Sequence, residues 1–147
     1  MYVSMFFIMI LSGALSTMNV WVDKFDDVRF SLNDVYMILL MSGWMLCFMA
    51  AMHGDVGVSV SGLVLAGSMI FCIRTQLFIS ESQYLTGMIP HHSMAIHMSK
   101  QLKTHTTILP FLDNLIDVQQ REIEFMKRTL KDPTSGIDSS YTLHQSI

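Results

Sequence analysis

Residues 32–52 read LNDVYMILLMSGWMLCFMAAM, an almost uninterrupted apolar run. Its one charged residue, Asp34, stands at the start, where an acid favours a helix N-terminus. About 20 consecutive apolar residues are enough to cross the hydrocarbon core of a bilayer. The stretch therefore predicts a membrane-spanning helix, with Ser31 or Asn33 as its N-cap.

An uncharged segment at residues 1–22 predicts a second span, which ends at Trp21 just before Asp23 and Lys24. Aromatic and charged residues in this order are typical of a membrane interface. A secretory signal peptide is the alternative, but it requires a basic region before its apolar core. No Lys or Arg precedes residue 24, so a retained helix is favoured.

Residues 56–79 form the third predicted span, in which the only charged side chain is Arg74. Its long stem can reach the interface from within the membrane. The connector at residues 53–55 is short, so the second and third helices are expected to pack as an antiparallel hairpin.

The composition agrees with a membrane protein. Of the 147 residues, 51% are hydrophobic and 14% are charged, and the net charge is −3. A soluble domain carries about 25% charged residues. These values exclude a disordered chain and argue against a nucleic-acid partner, which needs a dense basic surface. Methionine is unusually frequent, with 14 residues, whereas two cysteines are too few for a disulfide framework.

The chain divides into three parts: a transmembrane region at 1–79, a helical hairpin at 80–131, and a flexible tail at 132–147. Ser80 begins the first hairpin helix, and Asp132 followed by proline stops the second. Two helices cannot close a core alone. They are expected to pack on the membrane helices or to pair with a second copy.

The Lys and Arg residues predict the orientation. With three spans, all nine lie on the side that holds the 23–30 loop and the hairpin. The positive-inside rule then places the hairpin in the cytoplasm of a multi-pass membrane protein.

The chemistry is concentrated at residues 88–98, MIPHHSMAIHM, which hold three histidines and three methionines. At about 100° per residue, one broad helix face carries most of them, and His97 lies behind it. The residues on that face are Met88, His91, His92, Met94 and Met98. Thioether and imidazole ligands favour Cu(I) over the oxygen-seeking Mg²⁺ and Ca²⁺. The alternative is that methionines fill a core and histidines lie at its polar edge.

The second hairpin helix offers a facing set of side chains. Gln119, Glu122 and Met126 share one face of it. Met126 is a further candidate ligand. Gln119 or Glu122 is a candidate hydrogen-bond partner for the histidine ring nitrogen that does not bind the metal. An amphipathic helix with a polar edge is the plainer interpretation.

The second span contains a stripe of methionines. The stripe consists of Met37, Met41, Met45, Met49 and Met52. One hypothesis is a thioether path for Cu(I) across the bilayer, ending at His53. The alternative is adaptable packing between helices, a common use of methionine.

The segment Met88-Ile-Pro-His-His-Ser-Met-Ala-Ile, together with Gln119-x-x-Glu-Ile-x-x-Met126, resembles the domain-of-unknown-function family 305. Arg74-Thr-Gln76 and the methionine-spaced span are similar to its membrane-embedded branch, so the resemblance covers residues 5–131. It implies an all-α protein with three transmembrane helices followed by a ferritin-like hairpin. It also implies an association with copper. The ligands that it implies are Met88, His91, His92, Met94 and Met126.

The expected function is therefore copper binding, as Cu(I), for storage, buffering or transfer by a homo-oligomeric membrane protein. The alternative is a non-catalytic accessory subunit of a larger membrane complex. No enzymatic activity is expected, since the sequence has no phosphate loop, nucleophile elbow or zinc-protease motif. A di-metal redox bundle is disfavoured because Glu122 lacks a histidine three residues later.

Overall fold

A computed structural model describes residues 2–103 and 107–134, and every regular element in these ranges is helical. Residues 104–106, and the predicted tail at 132–147 from residue 135 onward, lie outside the described residues. Five α-helices follow one another along the chain. They are α1 (Tyr2–Leu15), α2 (Leu32–Met52), α3 (Val56–Thr75), α4 (Glu81–Leu102) and α5 (Leu109–Lys131).

Three segments are long and apolar enough to cross a membrane. They are Tyr2–Trp21, Leu32–Met52 and Val56–Thr75, with mean hydropathies of 1.7, 2.0 and 2.2. The first consists of α1 and a short 3₁₀ turn, Met18–Trp21. By length and composition, the prediction of three spans is confirmed.

Local capping sets the ends of α2 and α3. Ser31 is the N-cap of α2, and Asp34 accepts hydrogen bonds from the Ser31 amide and hydroxyl, both at 2.8 Å. Helix α3 ends at Thr75, short of the predicted residue 79, because Gln76 and Phe78 adopt positive φ values of 50° and 58°. Left-handed residues interrupt a right-handed helix. The third span and α4 are therefore separate helices.

Helices α2 and α3 form the predicted antiparallel hairpin, with backbones in close approach. A Cβ atom built on Gly62 would lie 2.5 Å from the Cys47 amide nitrogen and 2.7 Å from the Gly43 carbonyl oxygen. At the same contact, a Cβ atom built on Gly43 would lie 2.9 Å from the Ala66 amide nitrogen. Only glycine permits this separation, so two of the chain's glycines set the spacing of the hairpin.

Helices α4 and α5 form a second hairpin. Ser80 caps α4 by accepting a hydrogen bond from the Gln83 amide at 3.3 Å. The helix continues through Pro90, which is buried. Pro110 lies in the first turn of α5, where its missing N–H costs no helical hydrogen bond. Helix α5 ends at Lys131, as Asp132-Pro133 predicted.

The connector between α1 and α2 holds the second hairpin against the first. The buried Ser93 hydroxyl of α4 donates to Asp27 Oδ2 at 2.6 Å and accepts from the Asp23 amide at 2.9 Å. At the next contact, the Gln83 side chain accepts from the Leu32 amide at 2.9 Å. The polar hairpin was expected to pack on the membrane helices or on a second copy, and within one chain its polar contacts are made mainly with the connector.

Ion pairs reinforce this connection. Lys100 pairs with Asp23 at 2.7 Å, and Lys127 contacts both Asp26 and the buried Asp27, whose Oδ1 lies 2.6 Å from Nζ. The Oδ1 contact is an ion pair without the alignment of a hydrogen bond. Burial opposes the charged form of Lys127, but both carboxylates together raise its pKa. The hydrogen bond and positive charge of Lys127 lower the pKa of Asp26. Charges from both hairpin helices thus converge on one acidic loop.

Candidate metal-binding site

The inner face of the α4–α5 hairpin is a small apolar core. Ile89 and Ile96 of α4 pack with Ile123 and Met126 of α5, and all four are buried. Met88 packs against this cluster and is partly buried. Two predicted thioether ligands, Met88 and Met126, therefore border the same core from facing helices.

His92 lies at the polar edge of this core and faces α5. Its Nδ1 atom is buried and lies 3.0 Å from Oε2 of Glu122, and 17% of its side chain is exposed. The contact is at ion-pair distance, without the alignment of a hydrogen bond. With Nδ1 facing a carboxylate, a neutral ring carries its proton there and keeps the lone pair on Nε2. A carboxylate near Nδ1 is the usual partner that orients a metal-binding histidine, but here the two groups are not aligned for a hydrogen bond.

Burial lowers the pKa of His92 below its ordinary value of 6.5. The Glu122 carboxylate acts in the opposite direction, and the neighbouring His91 adds to the lowering. The balance favours the neutral imidazole, which is the form that binds metals.

The remaining predicted ligands of α4 lie on its outer side. His91 and Met98 are exposed, the latter by 55%, and Met94 is half-buried. Their i, i+3 and i+7 spacing forms a ridge along the helix. The predicted broad face is thus divided into an inner group, Met88 and His92, and an outer ridge, His91, Met94 and Met98. Elsewhere in the hairpin, His97 and Gln119 are half-buried.

No group of three or more His, Cys, Asp or Glu side chains in residues 2–103 and 107–134 is placed to hold a metal ion. A site built from the usual zinc or hard-cation ligands is thus not present in these ranges.

The methionine stripe lies on the outside of α2. Met37, Met41 and Met45 are about half-exposed, Met52 is exposed by 87%, and Met49 is half-buried. Four of its five methionines are thus left exposed by α1 and α3. The predicted thioether path is therefore not enclosed by the described part of a single chain.

Sequence patterns did not indicate the contacts that anchor α4. Ser93 stands between His92 and Met94, yet its hydroxyl bonds Asp27, which is 66 positions away in the chain. In the sequence, the aspartates at 23–27 were recognisable only as charged residues of a loop. No local signal pairs such a loop with one serine of a distant helix.

The arrangement of α4 and α5 coincides with a known sequence family. The model of the domain of unknown function (DUF305) matches residues 74–130, which run from the end of α3 to the end of α5. Uncharacterized protein L153 of Acanthamoeba polyphaga mimivirus is 43% identical over 131 residues, covering 83% of this chain and 86% of that protein. The chain belongs to the DUF305 family.

No solved structure matches the chain significantly. The relative from mimivirus covers most of this chain, so the similarity extends well beyond the residues that the DUF305 model matches. Neither name carries an activity, and the chemistry must be argued from the side chains.

The surroundings of His92 predict opposite effects for substitutions of Glu122 and His91. In the metal-free protein, Glu122→Gln should lower the pKa of His92 further, whereas His91→Asn should raise it. NMR titration of the imidazole resonances measures both shifts. Shifts of the same sign in the two variants would contradict the arrangement.

The stability of the protein should follow the same titration. The folded-state pKa is lowered, so the unfolded chain binds the proton more readily, and stability falls as pH drops below 6.5 toward the folded pKa. Above that window His92 is neutral in both states and contributes no pH dependence. Thermal unfolding between pH 7.5 and 5.5 checks this sign, with His92→Asn as the control that reduces the slope.

Proposed function

We propose that this protein is an integral membrane protein that binds Cu(I) through histidine and methionine side chains of the α4–α5 hairpin, and that it stores, buffers or transfers the ion. The hairpin is the ferritin-like part of the fold in this proposal. The bilayer holds α1 to α3, and the Lys and Arg distribution favours a cytoplasmic hairpin.

The contact between His92 and Glu122 carries the proposal. A half-buried, neutral imidazole with a carboxylate on Nδ1 is prepared to offer Nε2 to a metal. Met88 and Met126 supply soft sulfur atoms at the same core. Because nearby nitrogen and oxygen ligands are too few for zinc, this donor set favours Cu(I).

The proposal is tested by Cu(I) affinity in competition with a chromogenic chelator. His92→Ala should abolish the inner site, and Glu122→Gln should weaken it by about 10- to 100-fold. His97→Ala is the matched control, since it removes a histidine of the same helix outside the inner group. Unchanged affinity in His92→Ala rejects the proposal.

A role as an accessory subunit is the second candidate. Large apolar side chains are exposed on the polar hairpin, including Met98, Leu102 and Phe111, the last by 60%. Such a surface is typical of a protein contact. Extraction in mild detergent followed by metal analysis separates the candidates: a large assembly without copper supports the subunit, and bound copper supports the metal site.

A further inference from the structure

A cavity of about 510 Å³ lies where the third membrane-spanning helix meets the α4–α5 hairpin. Gln76, which directly follows α3, lines one side, and residues of the first turns of α4 and of the C-terminal part of α5 line the rest. Cavities that bind small molecules have volumes of about 300–1,000 Å³. Neither His92 nor Glu122 lines this cavity, so it is separate from the candidate metal-binding contact.

Most of the cavity wall is apolar or is already hydrogen-bonded within the protein. Ile79, Leu85 and Phe125 supply apolar surface. The side-chain amide of Gln76 is hydrogen-bonded to α2 and to the last turn of α3. The Thr129 hydroxyl donates to the carbonyl oxygen of Phe125 at 3.0 Å. These groups form the wall, and their hydrogen bonds leave little capacity to recognise a polar ligand.

Two polar side chains of the wall remain available to a ligand. Glu81 is exposed and is the one charged residue among the described residues that line the cavity, and Tyr84 is 51% exposed. Within residues 2–103 and 107–134, neither the Glu81 carboxylate nor the Tyr84 hydroxyl has an ion-pair or hydrogen-bond partner. A single carboxylate repels anions and is too few ligands for Ca²⁺. Beside an aromatic ring, it suits an organic ammonium group.

We propose that this cavity binds the ammonium headgroup of a zwitterionic phospholipid, with Glu81 as its counter-ion and Tyr84 as its aromatic contact. Gln76 directly follows the third span, Val56–Thr75, so the cavity lies at the level where that span leaves the hydrocarbon core. Lipid headgroups occupy this level of a bilayer. The inference goes beyond the proposed function, because it rests on the membrane spans but not on the copper chemistry.

Native mass spectrometry of the full chain in a neutral maltoside detergent tests the choice of headgroup. At equal concentrations, dioleoylphosphatidylcholine should give several-fold more one-lipid adduct than dioleoylphosphatidylglycerol, which has the same acyl chains and an anionic headgroup. Glu81→Gln should lower the phosphatidylcholine adduct to the phosphatidylglycerol level, and Glu81→Lys should reverse the preference. Equal adducts in the parent, or an unchanged preference in Glu81→Lys, overturn the proposal.

Two control variants separate the cavity from the rest of the hairpin. Glu124→Gln removes an exposed carboxylate of α5 that does not line this cavity, so it should keep the preference of the parent. Tyr84→Phe keeps the ring and should retain the phosphatidylcholine adduct, whereas Tyr84→Leu should lower it several-fold. Equal loss of the adduct in Glu124→Gln and Glu81→Gln would show a general charge effect and contradict the site.

Other occupants of the cavity give different results. Displacement of the lipid by free phosphocholine at the same concentration would identify a site for a soluble amine and overturn the lipid proposal. A dimer that forms only without the lipid adduct would assign the cavity to a second copy, which also overturns it. Failure of the proposed function is read elsewhere: alkaline carbonate extraction reports the membrane spans, and Cu(I) affinity in His92→Ala reports the metal site.

Discussion

Gly62→Ala is expected to destabilise the protein by about 3 kcal/mol, because it adds a methyl group where α2 and α3 meet backbone to backbone. The new Cβ would lie 2.5 Å from the Cys47 amide nitrogen and 2.7 Å from the Gly43 carbonyl oxygen. Neither neighbour is a side chain that can rotate away. The helices must separate, which opens their contact along its length.

Gly67→Ala is the matched control for this prediction. Gly67 lies in the same helix, and a Cβ built there meets nothing within 4 Å. Both substitutions gain about 1 kcal/mol of helix propensity, so their difference isolates the clash. Unfolding in mixed detergent micelles, followed by circular dichroism, measures it. Equal stability of the two variants would show that α2 and α3 do not pack at this distance.

The helices themselves were predictable because their signals are local. Residues 32–52 are an apolar run with a capping box at their start, and α2 has the bounds that this pattern predicts. The end of α3 was not predictable in this way. Gln76 and Phe78 adopt left-handed conformations, which the sequence does not signal without glycine or proline.

The sequence indicated which residue types form the candidate site, but not which of them lie on the inner side of α4 and which on the outer side. Helical periodicity placed His91 and His92 on one face, since consecutive residues differ by about 100°. Burial of Ile89 and Ile96 orients α4 so that His92 faces α5 and His91 faces outward. The direction in which a helix turns its face depends on packing partners, and periodicity alone leaves it undetermined.

Asp27→Ala is expected to cost about 3–5 kcal/mol, since it breaks a buried ion pair and removes one partner of a buried hydroxyl. The Asp27 side chain is 4% exposed, with Lys127 Nζ 2.6 Å from Oδ1. Its other oxygen accepts from Ser93 at 2.6 Å, and Ser93 is fully buried. Loss of the carboxylate leaves the serine hydroxyl without its acceptor and weakens the attachment of α4 to the connector, where the contacts of Ser93 and Lys100 with Asp23 remain.

Asp26→Ala provides the matched control, because Asp26 is adjacent and also contacts Lys127, yet its side chain is 79% exposed. An exposed ion pair is screened by water and contributes little to stability. This variant should therefore have an unfolding free energy close to that of the parent. Chemical unfolding of both variants gives the comparison.

A double-mutant cycle with Ser93→Ala assigns the cost to the shared bond. Both substitutions remove the same hydrogen bond, so Ser93→Ala should cost less in the Asp27→Ala protein than in the parent. Because Ser93 lies directly beside His92, the double variant also shows whether this anchor holds the inner site. If the anchor positions α4 against α5, Cu(I) affinity falls together with stability. Additive unfolding energies would mean that the two residues act independently and that the hydrogen bond between them does not stabilise the protein.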